Sequence, residues 1–334
     1  MADTTKLPLV SSEIAGLWNA YISDTMIVCI LNYFLISVED SETRDLLQQT
    51  SDLSTKHIQE LTNIFNQEKL TIPEGFTESD VNLNAPRLFT DHFYLAYLCF
   101  LARGSMHNFT LTLNLISRSD LRTYFSNRVS DSINLYNTST NIKLSQGTYI
   151  KAPRVEVAEG IHYVENQSFM IDWFGEKRSL LAIEISHIFS IIYSNYVGRA
   201  ISTAFGQVSK NEKVSDYLFE GKDMATKYIS ELSSLLTNEG IPIPSSSDCF
   251  VTSSTASPFS DKLMMNHSAL LSSSGISSLG TAMSFTMRSD LEAKYIKYSA
   301  EVMKYSKRGA DIMIDNRWLE QSPQSVNHEN LTEI

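Results

Sequence analysis

The sequence is poor in cysteine, and its cysteines are widely spaced. It contains three, Cys29, Cys99 and Cys249. The spacing excludes a CxxC metal or redox motif, and the odd number argues against a disulfide framework, as expected of a reducing compartment. Cys29 and Cys99 lie in apolar stretches of helical periodicity, which predicts that both are buried as small hydrophobic side chains.

Long apolar runs and an excess of positive charge are also missing. The longest apolar run, Met26 to Val38, has 13 residues and includes Asn32 and Ser37, whereas a membrane-spanning helix needs about 20. The first ten residues lack the charged start and apolar region of a signal peptide. A net charge of −11 argues against a nucleic-acid partner. We therefore expect a cytoplasmic location, with neither membrane nor nucleic acid as partner.

The sequence contains an internal repeat. Residues 53–73, LSTKHIQELTNIFNQEKLTIP, match residues 224–244, MATKYISELSSLLTNEGIPIP, at an offset of 171. The run RSDL occurs at 118–121 and again at 288–291, at an offset of 170. Further matches follow in the same order along both copies. The first pairs Glu13 with Glu184, and the last pairs Pro153 with Pro323. This collinearity predicts a duplicated unit. Its copies span residues 11–153 and 181–323, and residues 154–180 form the linker.

Each unit has the pattern of four long helices. Apolar residues recur at three- and four-residue spacing through four segments of the first unit, namely 11–38, 41–69, 89–117 and 120–146. The first and last connections are short, whereas the middle one, Leu70–Leu88, has 19 residues and is long enough to return along the bundle. This short, long, short order is that of a ferritin-like bundle with one crossover. The predicted fold is therefore all-α, with two tandem ferritin-like four-helix bundles.

The repeated RSDL run has a structural interpretation. Arg118 and Arg288 are predicted to end the third helix of each unit, where a cation meets the negative end of the helix dipole. Ser119 and Ser289 are predicted to cap the fourth helix. Other helix starts are predicted from similar signals, at Thr90–Asp91, at Ser209–Glu212 and at Ser260–Asp261. Gly104 and Gly275 are expected to mark local irregularities in the third helices.

A ferritin-like fold raises the question of a metal site. Such a site requires a Glu from each of two helices and a Glu-x-x-His pair from each of the other two. In the first unit Asp24, His57, Glu60 and Asp131 are the candidate ligands, on helices one, two and four. The third helix breaks the pattern, because residues 93–117 contain no carboxylate.

The second unit offers less. Tyr228 and Asn195 stand at the positions of His57 and Asp24, and the pair Glu184-x-x-His187 lies in the first turn of its helix. We therefore predict no metal site, no cofactor and no catalytic residue. Motifs for phosphate binding, nucleophilic serine and HExxH zinc are also missing. The aromatic segment 169–175, FMIDWFG, is predicted to lie between the two bundles.

Several motifs carry a resemblance to a known family. They are EDSETRDLL, GFTESDVNLNAPRLF, SFMIDWFG, FSDKLMM, RSDL and IMIDNRWLEQSPQ. The chain resembles a Bacillus-type family of uncharacterised proteins related to spore coat protein F. The resemblance covers nearly the whole chain. It implies a tandem ferritin-like fold and a place in the spore coat or the sporulating cell, and it brings no catalytic residues. Related members tend to have a histidine where this chain has Tyr228.

Three hypotheses follow. The first is a non-enzymatic structural or interaction protein associated with spores, whose partners are other proteins such as coat components. The second is a metal-binding ferritin-like oxidoreductase that uses Asp24, His57, Glu60 and Asp131. The third is a protein that holds a small apolar ligand in a bundle core, suggested by the apolar third helix.

Overall fold

The computed structural model describes residues 7–156, 159–170, 178–243 and 250–325. Within these ranges the regular structure is helical, apart from two isolated β-bridges and two short 3₁₀ turns. The eight long helices have 23 to 28 residues each. They are α1 Ser11–Ser37, α2 Ser41–Glu68, α3 Asp91–Leu113, α4 Ser119–Ser145, α5 Ala182–Val208, α6 Glu212–Asn238, α7 Asp261–Phe285 and α8 Ser289–Asp315. The predicted all-α fold with two four-helix units is confirmed, and the exact domain boundaries remain a prediction.

Hydrogen bonds at the helix ends establish the direction of each helix in the first bundle. At one end, the Asp91 carboxylate at the start of α3 accepts the backbone N–H groups of Glu39 and Asp40, between α1 and α2. At the other end, Glu13 in the first turn of α1 accepts the backbone N–H groups of Ser117 and Arg118, just before α4. Helices α2 and α3 are therefore parallel. The segment between them runs the length of the bundle, as in ferritin-like connectivity.

The two crossover segments, one between α2 and α3 and the other between α6 and α7, pair with each other. The isolated bridges join Val81 to Phe259 and Phe89 to Val251, both antiparallel. These pairs exchange under the offset of 170 that relates the repeats. Four backbone hydrogen bonds obey the same relation, from Asn82 to Pro258, Thr252 to Leu88, Thr90 to Phe250 and Ser260 to Asp80. The two bundles are thus arranged like a symmetric dimer within one chain, with a local two-fold axis between the crossovers.

The largest buried cluster is built from both halves. Tyr33 packs on Phe259 with ring centroids 5.2 Å apart, and Phe89 packs on Phe205 at 6.4 Å. Aromatic packing repeats inside each half, where Phe34 contacts Phe89 and Phe205 contacts Phe259. Buried aromatic rings contribute strongly to core stability. The aromatic core therefore holds the two bundles to each other.

Helix α1 is long and apolar enough, by length and composition alone, to cross a membrane. Within the protein, 56% of its most apolar 18-residue window is buried. Leu17, Ile30 and Phe34 on this helix are almost fully enclosed by neighbouring elements. Burial inside a bundle accounts for an apolar composition of this kind. Its role in this structure is that of a core helix.

Candidate functional site

A buried ion pair crosses the centre of the first bundle. Arg128 on α4 donates two hydrogen bonds to the carboxylate of Asp24 on α1, at 2.5 and 2.7 Å. The guanidinium also donates to the Tyr124 hydroxyl at 3.0 Å and lies 4.3 Å from the ring centroid of Phe109. Burial raises the pKa of Asp24, while the charge of Arg128 acts in the opposite direction. The fork geometry occupies both carboxylate oxygens.

His57 on α2 faces Asp131 on α4 in the same bundle. Its Nε2 lies 3.2 Å from Oδ2 of Asp131. Burial, followed by the positive charges of Arg128 and Lys56, lowers the pKa of His57 to about 3. Burial likewise raises the pKa of Asp131. At neutral pH, His57 is therefore uncharged, and its contact with Asp131 is a hydrogen bond from a neutral ring.

The four candidate metal ligands do not converge. Asp24 is bound to Arg128, and His57 is bound to Asp131. The Glu60 side chain is 43% exposed and lies 3.7 Å from Lys56, one helical turn away. No three histidine, cysteine or acidic side chains come together closely enough to hold a metal in the part of the chain that the structure describes. The residues present do not fit the two-metal centre of ferritin-like proteins.

The equivalent layer of the second bundle has a different chemistry. Tyr228, at the position of His57, donates to Glu301 at 2.9 Å, and Glu301 occupies the position of Asp131. Tyr298, at the position of Arg128, donates to Glu231 at 2.7 Å. Hydrogen bonds and lysine charges outweigh burial and lower the pKa of both glutamates. Both carboxylates are half-exposed, so this layer keeps its charges near solvent.

The repeated RSDL run forms an ion-pair clamp at one end of each bundle. Arg118 pairs with Glu68 at the end of α2 and with Asp120 at the start of α4, both at 2.7 Å. Arg288 pairs with Glu239 at 2.5 Å and with Asp290 at 2.9 Å. Both arginines are buried. The predicted role at the end of the third helix was wrong, because α3 ends at Leu113 and the guanidinium binds carboxylates of other elements.

Several predicted helix caps also require correction. The N-cap residues of α4 and α8 are Arg118 and Arg288, so Ser119 and Ser289 lie inside the helices as their first residues. Asn211 caps α6 in place of the predicted Ser209. The prediction for Ser260 is confirmed, since its hydroxyl accepts the N–H of Leu263.

Sequence reasoning missed the acceptors that hold these turns. Glu13 accepts three hydrogen bonds from Ser117 and Arg118, and Glu184 accepts the N–H of Met287 and binds Arg178. Glu13 and Glu184 match each other in the repeat, which was the signal available in the sequence. Glu184 of the pair Glu184-x-x-His187 therefore has a structural role, because it holds the end of the helix through these hydrogen bonds.

The predicted burial of Cys29 and Cys99 is confirmed. The Cys29 thiol donates to the carbonyl of Thr77 at 3.3 Å, and burial raises its pKa to about 12. A thiol with such a pKa is unreactive at neutral pH. Cys249 and most of the aromatic segment 169–175 lie outside the described residues.

Each bundle has a partly open cavity at the same level of the repeat. The first, about 680 Å³, lies beside the Asp24–Arg128 pair and His57. The second, about 340 Å³, is bounded by the equivalent faces of α5, α6, α7 and α8. Phe100, Gly104 and Asn108 of α3, together with Ser274 of α7, line both. Cavities of this size are within the range that accepts small molecules.

Comparison with known proteins gives one family and one similar solved structure. The family model described as "Protein of unknown function (DUF3231)" matches the chain twice, at residues 2–161 and 168–331. No curated protein matches the chain. A solved structure that is similar is the 1.54 Å crystal structure of a "putative spore coat protein" from Bacillus halodurans C-125. It is 12% identical, with a TM-score of 0.41, and the match covers 45% of this chain and 98% of that one.

Proposed function

The chain belongs to the DUF3231 family, whose model matches it in two successive copies, and we propose that it is a non-enzymatic structural or interaction protein. We place it with other proteins in the spore coat or in the sporulating cell. The spore assignment follows from the resemblance of its sequence motifs to the family related to spore coat protein F.

One observation carries the structural part of this proposal. The ionisable groups at the centre of the first bundle are matched with each other, Asp24 with Arg128 and His57 with Asp131. All four side chains line the first cavity, but each is already bound to another of the four. Paired in this way, these side chains stabilise contacts between helices. The shared aromatic core and the paired crossovers also support a structural role, because they join the two bundles into one module.

The outer helices offer surfaces for partners. Ile133 and Leu144 are exposed on α4, and Met303 and Ile314 are exposed at the equivalent positions of α8. A separation of 11 residues is close to three helical turns, which places each pair on one face. We propose that each of these faces is a contact surface for a partner protein. The two-fold arrangement would present the face twice.

The proposal is tested in a spore-forming Bacillus that produces a tagged copy of the chain. We expect the tagged protein in the purified spore coat fraction, cross-linked to identified coat proteins. Replacing Ile133, Leu144, Met303 and Ile314 by glutamine should remove these cross-links, whereas glutamine at the exposed, equivalent positions Asn127 and Lys297 should not. Recovery only from the cytosol of vegetative cells, without coat partners, would contradict the proposal.

The metal-binding alternative has its own test. Elemental analysis of the purified native protein would support it if it found about two iron or manganese ions per chain that His57→Ala abolishes. The side chains of Asp24 and Glu60 would have to leave Arg128 and Lys56 for such a site to form.

A further inference from the structure

Helices α3 and α7 are joined at two levels with a gap between them. The Tyr97 hydroxyl and His267 Nε2 lie 2.9 Å apart, and His107 Nε2 and the Ser277 hydroxyl lie 2.6 Å apart. Both pairs are related by the repeat offset of 170. Between them, a Cβ added at Gly104 or at Gly275 would have no other atom within 4 Å. The prediction of local irregularities at Gly104 and Gly275 was therefore wrong. Both glycines lie in unbroken helices, beside open space.

The cavity of the second bundle is long and narrow. Along α5 its lining extends from His187 to Ser202, fifteen residues or about 22 Å of helix. Its total volume of about 340 Å³ is therefore spread over several helical turns. The walls include apolar side chains from all four helices of this bundle, namely Ile191, Met224, Leu271, Leu279 and Val302. A chain-like molecule fits this shape better than a compact one.

Three polar side chains along the middle of this cavity already have hydrogen-bond partners within the protein. The Ser272 hydroxyl donates to the carbonyl of Ser268, and the Asn195 amide donates to the carbonyl of Ile191. The Tyr228 hydroxyl donates to Glu301. Groups that are bonded to their own backbone or to a neighbour present little unsatisfied polarity to a ligand. The middle of the cavity therefore behaves as an apolar channel.

The end of the cavity nearest the start of α5 is different. Arg103 of α3 donates to the Ser190 hydroxyl at 2.7 Å and lies 5.2 Å from the ring centroid of Tyr193, so its contacts are with neutral groups. One turn away, Nε2 of His187 is buried without a hydrogen-bond partner. Its ring stacks on Phe285, and burial lowers its pKa, which keeps the ring neutral at pH 7. A cation and an unsatisfied buried nitrogen thus face the same space.

We propose that the second bundle binds an unbranched long-chain carboxylate, a fatty acid in chemical class. Arg103 and His187 Nε2 bind the carboxylate, the former by a charge-assisted hydrogen bond. The acyl chain extends along α5 towards Ser202, between the apolar walls. The ligand satisfies the buried nitrogen of His187 and supplies an anion for Arg103, whose contacts among the described residues are with neutral groups.

The first bundle provides an internal contrast. Gly16 stands at the position of His187, and Ser273 stands at the position of Arg103. The cation of its cavity, Arg128, already has its carboxylate in Asp24. This cavity is larger but has no equivalent polar end. We therefore expect one carboxylate per chain, in the second bundle.

Calorimetric titration with dodecanoate, below its micellar concentration and after extraction of co-purified lipid, tests the proposal. We expect saturable binding of one dodecanoate per chain, at least tenfold tighter than dodecan-1-ol. The double variant Arg103→Gln and His187→Phe, which keeps the ring stack on Phe285, should weaken dodecanoate at least tenfold and leave dodecan-1-ol unchanged. Equal binding of the acid and the alcohol, or no saturable binding, would overturn the proposal.

A second variant locates the chain. Gly198 lines the cavity, and a Cβ there would meet nothing within 4 Å. Gly198→Leu should fill the channel and abolish dodecanoate binding without loss of thermal stability, because leucine is a better helix former than glycine. Gly280→Leu is the matched control at an exposed helical glycine outside the cavity, and it should bind normally. Normal binding by a folded Gly198→Leu would place the ligand elsewhere and refute the assignment.

Discussion

The two bundles use one backbone plan and two kinds of polar interior. In the first, Asp24 and Arg128 form a charged pair that is almost fully buried. In the second, the same two positions hold Asn195 and Tyr298. Asn195 donates to the carbonyl of Ile191 in its own helix, and Tyr298 reaches Glu231 near the surface.

The difference shows that the fold does not require a buried charge at this level. A buried ion pair has to recover the cost of removing both charges from water, and it is vulnerable to the loss of either partner. A tyrosine buries an apolar ring and keeps its hydroxyl bonded to a carboxylate that water can reach. The second bundle therefore serves as a template for replacing the charges of the first.

The largest effect is expected from breaking the ion pair of the first bundle. Arg128→Met leaves Asp24 buried without a partner, which should lower the free energy of unfolding by about 3–5 kcal/mol. Urea denaturation followed by circular dichroism measures the change.

The control for this prediction is a transplant from the second bundle. The double variant Asp24→Asn and Arg128→Tyr should cost less than about 2 kcal/mol, since it leaves no buried charge unpaired. The second bundle accommodates the same two residues at these positions. A double variant as unstable as Arg128→Met would show that the penalty comes from lost packing against Phe109 and Tyr124.

The ion-pair clamps should differ in strength between the bundles. Arg288→Met should lower the free energy of unfolding by about 2–3 kcal/mol, because it takes the guanidinium away from the largely buried carboxylates of Glu239 and Asp290. Arg118→Met should cost less, because Glu68 and Asp120 are more exposed than their counterparts. The two variants are compared by urea denaturation at pH 7. Equal losses would indicate that the exposure of the partners does not govern the strength.

Acid should destabilise the first bundle through His57. Its pKa of about 3 in the fold lies below the value of about 6.5 for an unfolded chain. The unfolded state then binds the proton more readily, so stability falls as the pH drops below about 6.5. Between pH 7 and pH 5 this histidine should account for a loss of about 2 kcal/mol. The raised pKa of Asp131 opposes the effect, because the folded state then binds that proton more readily than the unfolded chain.

Tyr228, the residue of the second bundle at the position of His57, suggests the control for this pH dependence. His57→Tyr removes the titrating ring and can bond Asp131 as Tyr228 bonds Glu301. The loss between pH 7 and pH 5, followed by urea denaturation, should shrink by about 2 kcal/mol. The remainder should come from His187 and His267, because burial lowers the pKa of both, that of His267 to about 4. An unchanged pH profile in His57→Tyr would show that His57 does not control acid stability.

Helix periodicity and connection lengths predicted the architecture closely. The predicted first helix, 11–38, differs from α1 by one residue at its end. The third was predicted to continue to residue 117, whereas α3 ends at Leu113. Ser117 and Arg118 give their N–H groups to Glu13 instead, a contact across more than 100 residues that apolar spacing does not reveal.

The interior contacts were harder to predict because they depend on the register between helices. His57 and Asp131 were both singled out, and they are adjacent. Arg128 was overlooked, although it takes Asp24 away from any ligand set. The pairing of the crossovers was also beyond reach, because it rests on backbone hydrogen bonds that leave no mark on composition. The repeat offset was the signal that could have shown that Tyr298 occupies the position equivalent to Arg128.

The smallest expected effect concerns two exposed residues in the left-handed conformation. Lys69 after α2 and Arg317 after α8 have φ of 56° and 58°, whereas their repeat equivalents are Gly240 and Gly147. A side chain in this conformation costs about 1–2 kcal/mol, and glycine loses part of that gain through its greater backbone entropy. Lys69→Gly and Arg317→Gly should therefore each raise the free energy of unfolding by about 0.5–1 kcal/mol. The exchanges Gly240→Lys and Gly147→Arg should lower the free energy of unfolding by a similar amount, since an added Cβ meets no other atom there. The four variants are compared by urea denaturation. A gain from both directions of exchange would show that side-chain contacts, and not backbone conformation, select the residue at these helix ends.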